Sequence, residues 1–318
     1  MNGTPGLVSV VITTHYRNEW LGGAIESALA QTHPAVEVFV VDDSGERFAE
    51  PVVEEYDVTY LAHERNRGDN EARTTGLASA RGEYVQFLDD DDRMRPAKLA
   101  RQVAVFETHP EVGVVGCGVD TGDEVVLPPS SHRGDVLREA LTLRMFPCVT
   151  STMLLRRSVL EAVLPLRQRP ARSDVAWRID LALRTEFDYV PAVLLDRRVH
   201  DANRGASLVG REEDLRLLAE YADCYDRFEP AFEHSVRHRL YRAYAEHLLG
   251  DEGGSWQATR LAALACYHGL RAGELSLGSF GLAAVSPLGR RGYRALQPVY
   301  TALVAGGDRG RRPTAQRL

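Results

Sequence analysis

Four consecutive aspartates, Asp89 to Asp92, follow the apolar run EYVQFL at 83–88. Carboxylates this close repel one another and resist ionisation unless a cation neutralises them. Hard divalent cations such as Mg²⁺ or Mn²⁺ take carboxylate oxygens and share their remaining positions with substrate phosphates. A solvated acidic turn that caps the next helix is the alternative for a bare run of this kind, and its place at a strand's carboxyl end favours the metal. A second acidic pair, Asp42-Asp43, follows the run VEVFVV at 36–41. A carboxylate there is suited either to hydrogen-bond a nucleotide base or ribose or to form the turn before Ser44-Gly45.

The elements that must position these acids are readable from the apolar periodicity. LVSVVI at 7–12 reads as a buried strand, 19–31 as an amphipathic helix stopped before Pro34, and 36–41 as a second buried strand. Residues 58–61 make a third strand, 69–80 a helix ended by Gly82, 83–88 a fourth strand, 96–108 a helix with Pro96 in its first turn, and 112–119 another strand. Strands alternating with helices over short links predict a parallel sheet, which binds ligands beyond the carboxyl ends of its strands. Further on, 121–134 reads as loop, 149–156 as a strand, 158–163 and 174–185 as helices, and 188–200 as a strand pair. Residues 210–305 read as helices, with Tyr221, Tyr225, Tyr241 and Tyr244 on core-facing stripes, and the Gly/Arg-rich 306–318 as a disordered tail. There is no internal repeat. The implied domains are 1–208, 209–305 and the tail 306–318.

The 318 residues carry 38 Lys+Arg against 45 Asp+Glu, a net charge of −7, which argues against a nucleic-acid partner. Lys98 is the only lysine. The 4 cysteines form no CxxC pair, so neither a zinc site nor a disulfide framework is suggested. The amino-terminal segment lacks a basic leader, and the best apolar stretch, 260–285, is interrupted by Arg260, His268, Arg271 and Glu274. A cytoplasmic protein is the expectation, peripheral at the inner face of a membrane if the carboxy-terminal helices rest on lipid. Arg290, Arg291 and Arg294 among apolar neighbours suit anionic headgroups or packing between domains equally.

Taken in order, VSVVITTHYRNEWLGGAIESALAQTHPAVEVFVVDDSG, then NRGDNEARTTGLASARGEYVQFLDDDD, then Pro96 and Leu99, resemble the family 2 glycosyltransferases over roughly residues 6–205. The resemblance implies a GT-A fold, a mostly parallel α/β sheet flanked by helices, here with a helical carboxy-terminal region. It also implies inverting transfer from a nucleoside-diphosphate sugar, with Mn²⁺ or Mg²⁺ as cofactor. The family's Pro-Thr-Tyr-Asn-Arg segment corresponds to Thr13-Thr14-His15-Tyr16-Arg17, so Thr13 and His15 line the nucleotide pocket, with His15 in place of the usual tyrosine and Arg17 beside them. The family's base-reading aspartate matches Asp43, and its Asn-x-Gly-x-x-x-Ala-Arg stretch matches Asn66, Gly68, Ala72 and Arg73, which brings Arg73 to the nucleotide or diphosphate. The DxD motif matches Asp89 and Asp91. Asp91 is then the principal metal ligand, Asp89 lies nearer the ribose or sugar, Asp90 belongs with the donor-binding residues, and Asp92 is the reserve ligand. The base that takes the acceptor's proton matches Asp174 in SDVAWRIDLALR, where Ser173 replaces the usual glutamate. His200 corresponds to a histidine near the diphosphate or metal, and Asn203, Arg204 and Ser207 to a lid over the donor.

Three other readings compete. A sugar-nucleotide pyrophosphorylase would need a Gly-rich basic loop after the first strand, and a dinucleotide oxidoreductase a GxGxxG turn; neither occurs. A non-catalytic nucleotide-sugar-binding scaffold predicts loss of the acidic run or of Asp174, and both are present. The acceptor is expected to be a lipid-linked or surface saccharide. A polyprenyl-phosphate sugar synthase is the variant in which the acceptor is a lipid phosphate.

Overall fold

The structure is a computed structural model and describes residues 3–198, 207–252, 255–275, 277–288 and 296. The chain divides into two compact units, Met1–Asn203 and Arg204–Leu318.

The first unit opens with β1 (Thr4–Thr14), α1 (Asn18–Leu29), β2 (Val36–Asp42), the short α2 (Glu50–Val53), β3 (Thr59–Ala62), α3 (Asp69–Ser79) and β4 (Gly82–Asp89). Branched residues dominate β1 and β2, and side chains on both faces of these strands are buried, as a sheet covered on two sides requires. On one face Val8, Val10 and Ile12 of β1 pack with Leu21, Ala24, Ile25 and Ala28 of α1. The other face meets α3 so closely that a side chain at Gly76 would come within 2.3 Å of Val11 Cγ1. β1 pairs in parallel with β2 and with β4, which places Thr13 opposite both Val41 and Asp89, and Thr14 opposite Asp42. The carboxyl ends carrying both acidic clusters are therefore level with one another.

The unit continues through β5 (Arg93–Met94), α4 (Lys98–Thr108), β6 (Val112–Asp120), β7 (Val125–Val126), α5 (Leu137–Leu141), β8 (Leu154–Arg156), α6 (Arg157–Glu161), α7 (Ser173–Ala182) and β9 (Glu186–Asp196). The sheet runs β3-β2-β1-β4-β8-β6-β9-β5, with β7 on β6. Within it β8 is antiparallel to both β4 and β6, and β9 is parallel to β6.

Two expectations are corrected. The expected strand at 149–156 is a 3₁₀ turn, Thr150–Thr152, followed by the three residues of β8. Side chains intercept the backbone there: Gln86 Nε2 donates to the Ser151 carbonyl and Gln102 Nε2 to that of Thr152. Residues 199 and 200 of the expected strand pair at 188–200 lie outside the described residues, and within the described part there is the single strand β9. Pro191 does not break it, because the register against β6 shifts between Val190 and Val193 and the bulge absorbs the missing N–H.

Lys98 is wholly buried. Its ammonium donates to Gln86 Oε1 of β4 and to Gln102 Oε1 at 2.9 Å, so the one lysine ties α4 to the sheet beneath the acidic run. Burial pushes its pKa down to about 8. Below that value the ammonium is charged whether the chain is folded or not, and the full desolvation penalty applies. Between about 8 and 10.5 only the unfolded chain keeps the proton, so this group makes stability rise with pH by about 3 kcal/mol across the interval. Urea unfolding from about pH 8 to about pH 10 should show that rise in the wild type and a smaller one in Lys98→Met. Equal rises would contradict a depressed ammonium.

The second unit contains α8 (Leu208–Glu220), α9 (Ala222–Tyr225), α10 (Pro230–His247), α11 (Ser255–Ala272) and α12 (Leu277–Val285). Ser207 caps α8, its Oγ accepting from the Gly210 amide at 3.2 Å. Tyr221, Tyr225 and Tyr244 are buried, and Tyr241 packs, partly buried, against a core that includes Tyr244, Leu248, Leu261, Ala262 and Leu282. Among the described residues no helix is long and apolar enough to cross a membrane.

Candidate active site

The acidic run turns sharply as it leaves β4, the Asp92 amide donating back to the Asp89 carbonyl at 3.2 Å. The turn gathers Asp89, Asp91 and Asp92 so that one carboxylate oxygen of each lies within 4.8 Å of the others. Asp90 faces Arg17 instead: Arg17 Nη1 donates to Asp90 Oδ1 at 3.2 Å and to Asp91 Oδ2 at 3.1 Å. Two residues from distant sequence complete the frame. The Asp89 amide donates to Ser151 Oγ at 3.1 Å, and the same side chain works against the rise in the Asp92 pKa. The Arg198 amide donates to Asp92 Oδ1 at 3.3 Å.

The electrostatics of this group are those of acids crowded out of water. Burial holds the Asp89 carboxyl above its ordinary range, with Arg73 opposing the shift and Asp91 adding to it. Burial, then Asp89, drive Asp92 well above that range, and burial pushes Asp90 up to about 6 against the pull of Arg17. Three converging carboxylates, of which Asp89 and Asp92 are held back from ionising first by burial and then by neighbouring acids, are the donor set that a hard divalent cation fits. Asp89 and Asp91 thus stand together as expected, with Asp92 as the third member. His200, Asn203 and Arg204 lie outside the described residues, as do Arg290, Arg291 and Arg294.

Arg73 joins this cluster to the rest of the site. From α3 its Nη2 donates to Asp89 Oδ1 at 3.1 Å, and its Nη1 to Asp69 Oδ2 at 3.1 Å and Asn70 Oδ1 at 2.9 Å. Burial works against its charge, but Asp89, Asp69 and Asp174 more than offset that, and its pKa lies above the usual guanidinium value. Asp174 is half-buried in the first turn of α7, close enough to act on Arg73. α7 is fixed against the sheet by Trp177, which meets Phe87 of β4 edge-on at 6.3 Å, and by Arg178, which donates to the Cys148 carbonyl.

On the far side of β1, Thr13 is half-buried and His15 is exposed, its Nε2 accepting from Asn66 Nδ2 at 2.8 Å. The His15 ring stands edge-on to Tyr16, which leans on Phe48 at 5.0 Å, so an aromatic rim borders the strand ends. Asp43 turns inward. Its carboxylate accepts from the Arg67 amide at 2.8 Å and the Gly68 amide at 2.7 Å, and lies 2.6 Å from His63 Nδ1. Gly68 is needed at φ 94, and a side chain there would collide with Gln168. Asp42 accepts from the amides of Ser44 and Ala49 and from the Tyr60 hydroxyl; burial alone would raise its pKa, but these donors hold it below the ordinary value.

Sequence reasoning did not single out Ser151, Arg198, His63 or Gln168. Each reaches the site only through the tertiary path of the chain, and no local pattern marks it. Asp69 and Asn70 lay within the stretch already quoted, at the positions that place them beside Arg73.

The sequence profile described as Glycosyl transferase family 2 matches residues 9–164. Residues 9–164 belong to glycosyltransferase family 2. The matched span contains every site residue from Thr13 to Asp92 and Ser151, whereas Asp174 lies beyond it. The chain is 32% identical over 193 residues to the succinoglycan biosynthesis protein ExoO of Rhizobium meliloti, covering 58% of this chain and 53% of that protein. It spans just over half the length of the first curated relatives it matches. Its fold is that of S. aureus TarS in complex with UDP-GlcNAc (TM-score 0.65, 15% identity, 93% of this chain and 92% of that one). It is likewise that of the mannosyltransferase PcManGT from Pyrobaculum calidifontis in complex with GDP-Man and Mn²⁺ (TM-score 0.57, 20% identity, 96% and 88%). The fold is GT-A.

Proposed function

We propose that this protein is a metal-dependent, inverting glycosyltransferase that moves a sugar from a nucleoside-diphosphate sugar to a hydroxyl of a saccharide acceptor. The observation that carries the reading is the convergence of Asp89, Asp91 and Asp92 at the end of β4, with Arg73 bonded to Asp89 and its charge supported by the acid of α7. Asp91, Asp89 and Asp92 would hold Mn²⁺ or Mg²⁺, with His200 as a further candidate ligand. When bound, the ion supplies positive charge where the leaving diphosphate gathers negative charge.

The chain's own residues do the rest. Arg17 and Arg73 present guanidinium groups on two sides of the acidic run, where they orient the phosphates. Thr13, the His15 rim and Asp90 border the nucleotide. Asp43 contributes through the Arg67–Gly68 backbone that its carboxylate holds. Asp174 accepts the acceptor hydroxyl's proton as that oxygen attacks the anomeric carbon from the face opposite the diphosphate, which inverts the configuration.

The relative named for succinoglycan biosynthesis and the neighbours solved with UDP-GlcNAc and with GDP-Man and Mn²⁺ support a nucleotide-sugar donor and a polysaccharide product. A lipid-linked acceptor would place the work at the inner face of a membrane. A thermal-shift screen of nucleotide sugars with Mn²⁺ or Mg²⁺ tests the reading. The true donor should raise the melting temperature only in the presence of the ion, by the linkage between binding and folding. A scaffold that binds without transferring would show the shift but no released nucleotide. A chain that shows neither with any nucleotide sugar is not a transferase of this kind.

A further inference from the structure

The second unit exposes more large apolar side chains than a solvated helical domain needs. Trp256 is 82% exposed, Tyr267 53% and Leu270 66% on α11, with Phe280 57% on α12 and Leu288 61% just after it. These are not scattered. At about 3.6 residues per turn, Trp256, Ala263, Tyr267 and Leu270 fall on a single stripe along α11. Arg260 and Arg271, both exposed, run along one edge of that stripe. On α12 Phe280 and Ala284 stand four residues apart, and Leu288 follows in the 3₁₀ turn after it. The opposite side of α11 is spent on the core, through Ala258, Leu261, Ala262 and Ala265.

Charge decides what covers this face. Residues 255–288 contain two arginines and a single carboxylate, Glu274, which accepts from Ser235 Oγ at 2.8 Å in the turn after α11. The cations therefore edge an apolar stripe with no acid on either helix, in a chain whose net charge is −7. An antiparallel twofold contact with a second copy would set arginine against arginine, and a parallel one would leave both arginine edges without an acid from either helix. An anionic lipid surface answers both features: the aromatic and leucine side chains enter the headgroup boundary and the guanidinium groups meet the lipid phosphates. We propose that α11, with the exposed end of α12, is a membrane-docking face that seats the protein on anionic lipid. The inference goes beyond the proposed chemistry and does not depend on it.

Co-sedimentation of the full chain tests it, using phosphatidylcholine vesicles with and without phosphatidylglycerol. The wild type should bind the anionic vesicles at low salt, release them at high salt and bind the neutral ones weakly. Trp177 is buried whereas Trp256 is open to water, so binding should shift the indole emission to the blue, and Trp256→Phe should remove that shift. Leu270→Glu with Tyr267→Glu should weaken binding by about 10-fold or more, and Arg260→Glu with Arg271→Glu should erase the preference for anionic lipid by a similar factor. These side chains are exposed, so the variants should keep the wild-type circular dichroism. Asp91→Ala should bind vesicles as the wild type does, which separates a failure of docking from a failure of the proposed chemistry. No binding at low salt, or binding that these variants do not change, overturns the proposal. So does a wild-type dimer that the Leu270 and Tyr267 variants dissociate without any vesicle uptake; the face would then belong to a second copy.

Discussion

Asp91→Ala is expected to lower sugar transfer by about 10³-fold or more, since charge neutralisation at a departing diphosphate is worth several kcal/mol. It should also abolish the ion-dependent rise in melting temperature with the nucleotide donor. Asp91 is the member of the converging trio that Arg17 also reaches, at 3.1 Å. Asp89, by contrast, is already committed to Arg73, and Asp92 is buried against Ser151 and the Arg198 amide. Asp91→Asn keeps the shape and removes the charge, and it should fall nearly as far. Folding should survive both changes, because Arg17 keeps its second partner in Asp90. Transfer within about tenfold of the wild type in Asp91→Ala would move the centre of the chemistry away from this cluster.

Asp174→Asn carries the second large effect. Removing a general base costs about 10²- to 10⁴-fold in turnover, and the donor's apparent affinity should change little, because the acid works on the acceptor side. Its place in the first turn of α7, within reach of Arg73, makes the two variants informative as a pair. An acceptor already carrying an anionic phosphate oxygen needs no base. Loss of activity in Asp91→Ala but not in Asp174→Asn would therefore identify a lipid phosphate as nucleophile. Loss in both fits a hydroxyl acceptor.

The periodic segments were the most legible part of the molecule. β1, β2, β4 and β6 are apolar runs buried along most of their length, and α1, α3 and α4 carry apolar stripes bounded by Pro or Gly, so composition alone marks them. Asp89 and Asp91 were legible because the acidic run lies at the carboxyl end of a strand, where a parallel sheet binds ligands, which favours a metal over a helix-capping turn. What stayed hidden is what depends on three-dimensional closure. Ser151 lies 62 residues from the amide it receives. Its role exists only because Gln86 and Gln102 pull the 150–152 backbone out of a ladder it was expected to join. Asp43 offers the same lesson in reverse. Its position after β2 was read correctly as a strand end, but the sequence carries no sign that His63 and two amides of the next loop would surround its carboxylate.

The placement of β8 has a consequence for how the protein is made. A ribosome delivers β1 to β4 early, as a locally connected set of parallel strands, yet the free edge of β4 is filled by β8, more than sixty residues later, and β6 obtains its parallel neighbour only when β9 emerges. The nascent chain therefore carries the edge of β4, and the aspartates at its tip, through a long stretch of synthesis before Ser151 arrives to fix them. Such distant pairings close slowly. Until they close, the growing chain has β1, β2 and β3 in place and the acid-bearing edge of β4 uncovered, and an uncovered strand edge is a template for pairing with another chain.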